Sequence, residues 1–99
     1  MVVHVKRTDR YYVAACQIDS PNPLDRDGIR ARVDRMISMI DFAVEGYRPF
    51  FDLRLVVFPE FAHAAPVYQT VDELADRLAI EIPNEFTDRY IRKAKEHDI

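Results

Sequence analysis

The sequence predicts an α/β protein built on a strand–helix–strand unit, and three segments carry that prediction. Tyr11 to Ile18 is almost wholly apolar and rich in strand formers. Ile29 to Tyr47 switches to an apolar repeat of three and four residues. Leu53 to Phe58 is a second apolar run, closed abruptly by Pro59 and Glu60. Two strands joined by a long helix imply parallel pairing through a right-handed crossover.

Each element has its own signal. Val2-Val3-His4-Val5 reads equally as a short strand or as a lead-in. Tyr11–Ile18 has the continuous apolar character of a strand covered on both faces. Asp19-Ser20-Pro21-Asn22-Pro23 is turn chemistry, and with Leu24 to Gly28 it makes a polar connection. In the next segment Ile29, Val33, Met36, Ile37, Ile40, Val44 and Tyr47 form one stripe of an amphipathic helix. Arg30, Arg32, Asp34, Arg35, Asp41 and Glu45 fall largely between them, and Gly46 and Pro49 supply stop signals. Phe61 to Tyr68 is a loop mixing small and aromatic residues. Thr70 stands three residues before Glu73, the spacing of a capping box, and opens a short helix from Val71 to Ala79. After Ile82-Pro83-Asn84 a further helix runs from Glu85 to His97. Its expected buried stripe is Phe86, Tyr90, Ile91 and Ala94, with Arg92, Lys93, Lys95 and Glu96 in water. Lys93, Lys95 and His97 suit the negative end of that helix's dipole.

Composition bounds the function. Ninety-nine residues make one small domain, or an incomplete one, across 1–99. With 48% apolar and 31% charged residues the chain is of globular rather than disordered type. Arg7, Arg10, Arg26, Arg30, Arg32 and Arg35 are nearly cancelled by Asp9, Asp25, Asp27 and Asp34, and the net charge is −3. No basic face results, so nucleic acid is not an expected partner. No run is long enough to span a bilayer, so no membrane partner is expected either. The single cysteine, Cys16, rules out an internal disulfide framework and a cysteine zinc cluster, and it fits a reducing cytoplasm. Gly28 and Gly46 are the only glycines, so no phosphate-cradling loop exists and no cofactor is expected.

The candidate chemistry centres on Glu60. Open α/β sheets collect ligands and catalytic groups beyond the carboxyl ends of their strands, and Glu60 falls there. Phe58-Pro59 is a stiff lead, because proline fixes its own dihedral and holds its predecessor extended. Phe61 and Ala62 place the carboxylate in apolar company, and desolvation makes a carboxylate a better base. His63 reads as a pocket-lining or hydrogen-bonded histidine. With only His4 and His97 besides, and no helical pair of histidines, no metal site is expected. Phe61 and Tyr68 are candidates to line the same pocket, with a purely structural tyrosine as the default. Cys16, inside an apolar strand, reads as a small inert hydrophobe.

Val13-Ala14-Ala15-Cys16-Gln17, the helix Ile29–Tyr47, and Leu55-Val56-Val57-Phe58-Pro59-Glu60 together resemble the nitrilase superfamily of carbon–nitrogen hydrolases. Glu85–Ile99 is similar to the helix that precedes that family's third core strand. The resemblance implies that the chain is the βαβ N-terminal part of a four-layer α-β-β-α sandwich. It also implies amide, nitrile or carbamoyl hydrolysis by a glutamate, a lysine and a cysteine, with Glu60 as general base. The family's lysine and cysteine follow later strands, so Lys6, Cys16, Lys93 and Lys95 do not correspond to them, and Glu60 alone maps. The 99 residues alone are expected to be inactive. Their partners are then a small-molecule amide or nitrile in the complete enzyme, and a complementing C-terminal portion or further copies in a homo-oligomer. The alternative is a non-catalytic module that binds a protein partner through Phe61–Tyr68 and an uncovered sheet face.

Overall fold

The computed structural model describes residues 10–19 and 21–99. The lead segment Val2–Val5 and Ser20 of the predicted turn lie outside the described residues. The element order is β1 (Tyr12–Ala15), α1 (Arg26–Tyr47), β2 (Leu53–Val57), α2 (Val71–Arg77) and α3 (Glu85–His97). The two strands pair in parallel, with Val13 opposite Leu55, Ala14 opposite Val56 and Ala15 opposite Val57. No helix among the described residues is long and apolar enough to cross a membrane.

The first strand is shorter than its apolar run. Pairing needs a partner backbone, and β2 stops at Val57, just before Pro59. One further bond, from the Cys16 amide to the Val57 carbonyl at 2.8 Å, closes the ladder. The expectation that this strand is covered on both faces does not hold within the described residues. Ala14 and Val56 pack towards α1. Val13, Leu55 and Val57 are 49%, 44% and 44% exposed, so the opposite face is an apolar surface open to solvent.

Helix α1 begins three residues before its apolar stripe, because Asp25 caps it. The Asp25 carboxylate accepts the Gly28 amide at 2.9 Å, the bond an N-cap acid makes to a first-turn donor. Gly28 has a packing reason as well: a Cβ there would lie 2.7 Å from the Pro23 Cβ. At the other end the helix continues through Gly46 to Tyr47. Of the predicted stripe, Ile29, Val33, Met36, Ile40 and Val44 are buried, whereas Tyr47 is exposed. Full burial of such side chains contributes about 1.5–3 kcal/mol each, so the stripe is the main stabilising element.

Both later helices start where the sequence suggests; α3 also ends there, at His97, whereas α2 ends early. Thr70 accepts the Glu73 amide at 3.2 Å, half of the expected capping box, and α2 ends at Arg77 rather than at Ala79. A full capping box occurs at α3 instead. There Asn84 accepts the Phe86 and Thr87 amides, and Thr87 Oγ1 accepts the Asn84 amide at 2.8 Å. Two expected positions on α3 are corrected. Ile91 is 49% exposed, and Lys93, expected in water, is partly covered. The reason lies on α1, where Asp41 gives the Lys93 ammonium a carboxylate to pack against.

Two arginines at the ends of α1 hold the other helices. Arg26 donates to the carbonyls of Ala75, Asp76 and Ala79 at 2.7, 2.6 and 2.8 Å, gathering the end of α2. Arg48 donates to the His97 carbonyl, and to those of Leu53 at 2.9 Å and Asp98 at 3.5 Å. It thereby ties the end of α3 to the start of β2. Both guanidinium groups satisfy carbonyls that a helix terminus leaves without intrahelical donors. Replacing Arg48 by alanine is expected to lower unfolding free energy by about 1–3 kcal/mol, the range for hydrogen bonds to a charged donor. Urea denaturation checks this, with the exposed Arg35→Ala as a control expected to change little.

Candidate functional site

Glu60 stands three residues beyond the last residue of β2, in a turn with Phe61. Phe61 has a φ of 58°, in the left-handed region that a bulky side chain rarely adopts. Such a backbone costs on the order of 1–3 kcal/mol and persists only where its surroundings over-determine it. Two such surroundings are visible downstream. His63 packs against the rings of Tyr90 and Phe86, and Asn22 holds Ala65.

The Asn22 clasp is short and two-sided. Its Oδ1 accepts the Ala65 amide at 2.6 Å, and its Nδ2 donates to the Ala65 carbonyl at 3.4 Å. The same Oδ1 accepts from the Arg32 guanidinium at 3.2 Å, which links the loop to α1 as well. The sequence marks Asn22 only as a turn residue, because a clasp across 43 positions leaves no local signal.

His63 is half-buried. Its ring stacks on Tyr90 with centroids 5.6 Å apart and planes 18° apart, and it meets Phe86 edge-on at 6.0 Å. His63 Nε2 and the Tyr90 hydroxyl are 2.9 Å apart, and that hydroxyl is 3.5 Å from the Met36 sulfur. Burial, followed by the nearby Arg32 charge, holds the imidazole below its ordinary pKa, so it is neutral at pH 7. Burial pushes the Tyr90 phenol up to about 12, so it serves as a hydrogen-bonding group rather than a base.

His63 borders two apolar hollows. One, of about 430 Å³, runs beside β2 and is lined by Met36, Phe58, Ala62, Tyr90 and Ala94. The other, of about 350 Å³, brings in Ile29, Phe61, Leu74 and Ile80. Phe61 and His63 therefore share a cavity wall. Tyr68 does not join them: its hydroxyl donates to the Leu24 carbonyl, and its ring lies 5.5 Å from the Arg77 guanidinium. Its role is structural. Glu60 is exposed and lines neither hollow, so the expected apolar enclosure of its carboxylate is not present.

The remaining reactive side chains are engaged elsewhere. Cys16 faces α1 in a hollow with Ser38, Met39 and Phe42. Burial pushes its thiol up, the opposite of what activates a nucleophile. Asp41, Glu96 and His97 bring three potential metal ligands within 4.8 Å of one another. The Lys93 ammonium already lies among them, 2.8 Å from Asp41 and 3.0 Å from Glu96, while His97 Nε2 is 2.7 Å from Asp41. A lysine cation fills the place a metal would take, and the cluster is a bridge between α1 and α3. The sequence could have hinted at it only through the Lys93, Glu96 and His97 spacing, and the partner acid lies 52 positions away.

No family model, curated protein or solved structure matches this chain.

Hydrogen bonds from Lys93 and His97 hold the Asp41 carboxyl below its ordinary value of 3.8. Its stabilising contribution is complete above that ordinary value and is lost as pH falls through the lowered one. The urea midpoint is thus expected to drop on acidification from pH 5 to pH 2, and to drop less in Asp41→Asn. Equal acid sensitivity in the two proteins would contradict the bridge.

Proposed function

We propose that this chain is the N-terminal part of a carbon–nitrogen hydrolase of nitrilase type, acting on amide, nitrile or carbamoyl substrates. Glu60 is its general base. The observation that carries the reading is the place of Glu60: just beyond the carboxyl end of β2, in a parallel strand–helix–strand unit, on a turn braced by His63 and Asn22. The same site lacks a nucleophile among the described residues, since Cys16 is held under α1 and Lys93 is committed to Asp41 and Glu96.

The chemistry follows from a carboxylate beside a thiol that a complementing portion supplies. Glu60 takes the thiol proton, and sulfur attacks the amide carbon to give an anionic tetrahedral intermediate that a lysine stabilises. The proton then passes to the leaving nitrogen, ammonia departs, and a thioester remains. Glu60 next takes a proton from water, whose oxygen attacks the thioester and releases the carboxylic acid and the thiol. The four-layer sandwich, a complementing C-terminal portion or homo-oligomer, and Phe61 and His63 as substrate-lining residues belong to this reading.

The open apolar sheet face supports a second reading, a non-catalytic module that binds a protein partner through Val13, Leu55 and Val57. That module unfolds cooperatively as a defined species, whereas an enzyme portion alone melts broadly and binds apolar dyes. The hydrolase reading is tested by mixing this chain with a portion that supplies the lysine and the cysteine and assaying ammonia release. Amide hydrolysis is expected from the mixture and not from the chain alone. Glu60→Gln is expected to lower it about 10²–10⁴-fold, the usual contribution of a general base. Full activity in that variant would remove Glu60 from the role.

A further inference from the structure

Strand β1 has an edge that pairs with no strand among the described residues. Its Tyr12 amide donates to the Asp52 carbonyl and its Cys16 amide to the Val57 carbonyl, each at 2.8 Å, so Tyr12, Ala14 and Cys16 bond towards β2. Strand geometry turns Val13 and Ala15 the other way, each with an N–H and a C=O aimed out of the sheet. Edge strands that stay single are commonly blunted by charged side chains or proline. Tyr12-Val13-Ala14-Ala15 carries neither.

An apolar groove follows this edge. Hollows of about 380 and 300 Å³ meet at Cys16, Ala43 and Tyr47 and run along β1 with α1 as one wall. The two ends of the groove differ. Exposed rings stand at the Tyr12 end, where Tyr12 and Phe51 have centroids 4.7 Å apart and Tyr47 and Phe50 each lie 6.5 Å from Phe51. At the Cys16 end the hollow lies open beside Phe42, which at 82% is the most exposed large apolar side chain among the described residues.

We propose that this edge is the interface of a homodimer: β1 of a second copy pairs antiparallel with β1 about a two-fold axis at Ala14, making one four-stranded sheet. Val13 then lies opposite Ala15 of the second copy, and each such pair exchanges two backbone hydrogen bonds. At the axis Ala14 meets Ala14 in the closely spaced, non-hydrogen-bonded kind of pair, where a small side chain suits two α1 helices lying side by side. The same symmetry sets Tyr12 opposite Cys16 of the second copy, so the ring cluster of each chain meets the hollow of the other. An isologous contact has to be self-complementary in this way. Covering Tyr12, Phe42, Tyr47, Phe50 and Phe51 removes about 600 Å² from each copy, at the area an aromatic side chain buries. The total of about 1,200 Å² is what the smallest stable interfaces need, before the backbone edge is counted. Four strands also relieve the marginal stability of a two-stranded sheet.

The dimer gives the homo-oligomer of the proposed function a defined interface, but it stands whether or not Glu60 is a base, and its test involves no catalysis. Sedimentation equilibrium of the 99-residue chain over a concentration series is expected to reach twice its mass of 11.6 kDa. Ala15→Pro removes an N–H that β2 does not use, and proline is tolerated at such an edge position. Phe42→Glu puts a charge on the groove at an exposed position, where folding is little affected. Each is expected to weaken the dimer at least about tenfold, with circular dichroism unchanged. With Cys16→Ser as background, mild oxidation of Ala14→Cys is expected to link two chains, since a separation of about 4.5 Å is within disulfide reach. Val13→Cys, out of register with itself by two residues, is not expected to link. A chain that stays monomeric overturns the proposal. So does a dimer as tight in Phe42→Glu as in wild type, which would place the contact on the outer sheet face or the β2 edge. Linking through Val13→Cys instead of Ala14→Cys, or through neither, overturns the axis at Ala14.

Discussion

Burial of one face of α1 is the constraint on which the remaining structure depends. A two-stranded sheet is marginal by itself in water, and β1 and β2 offer only four and five residues each. What holds them is the inner layer, where Ile40, Ala43 and Val44 of α1 pack with Leu53, Ala14 and Val56. The other half of the same helix, through Ile29, Val33 and Met36, gathers Leu78 and Phe86 from the α2–α3 region. Burying that stripe contributes on the order of 10 kcal/mol, comparable with the whole net stability of a small domain. Arg26 and Arg48, at the two ends of the helix, convert non-directional burial into a defined arrangement. Each fixes the end of a different helix by its carbonyls.

That arrangement also determines where the loop after β2 can lie. Phe58 follows the strand into the core beside α1, and the chain turns back at once. Its return is held from below by Asn22, which Arg32 of α1 steadies, and from the side by α3. Phe61, with its left-handed φ, comes just before these two attachments. A glutamate at the end of a strand would otherwise sweep through a large volume, and here it is confined by residues on both sides of the sequence.

How much of this the sequence discloses depends on the range of the interaction. The helices and strands were legible because period-3.6 and continuous apolar patterns are local, and α3 was legible to the residue. Ends were less so. The start of α1 depends on Asp25 acting as a cap, and in the sequence that residue looks like one charge among many. Lys93 departs from its expected face because its deciding partner, Asp41, is distant in sequence, and nothing in the structure explains the exposure of Ile91. For the candidate site, position and residue type single out Glu60 and His63. Neither their separation into exposed carboxylate and half-buried imidazole nor the Asn22 clasp had any local sign.

The exposure of Glu60 and the exposure of the sheet's outer face are two aspects of one feature. Val57, the last residue of β2, is 44% exposed on that face, and the carboxylate follows three positions later. A solvated carboxylate is a weak base, and it becomes a useful one when water is displaced around it. On the proposed reading the surface that covers Val13, Leu55 and Val57 lies next to Glu60 at the same strand end. Covering the sheet and raising the basicity of the carboxylate are then a single event. A partner that merely stabilised the chain by covering the face would do so without regard to Glu60. A partner that completes an active site must do both, and the two effects should appear together as the face is closed.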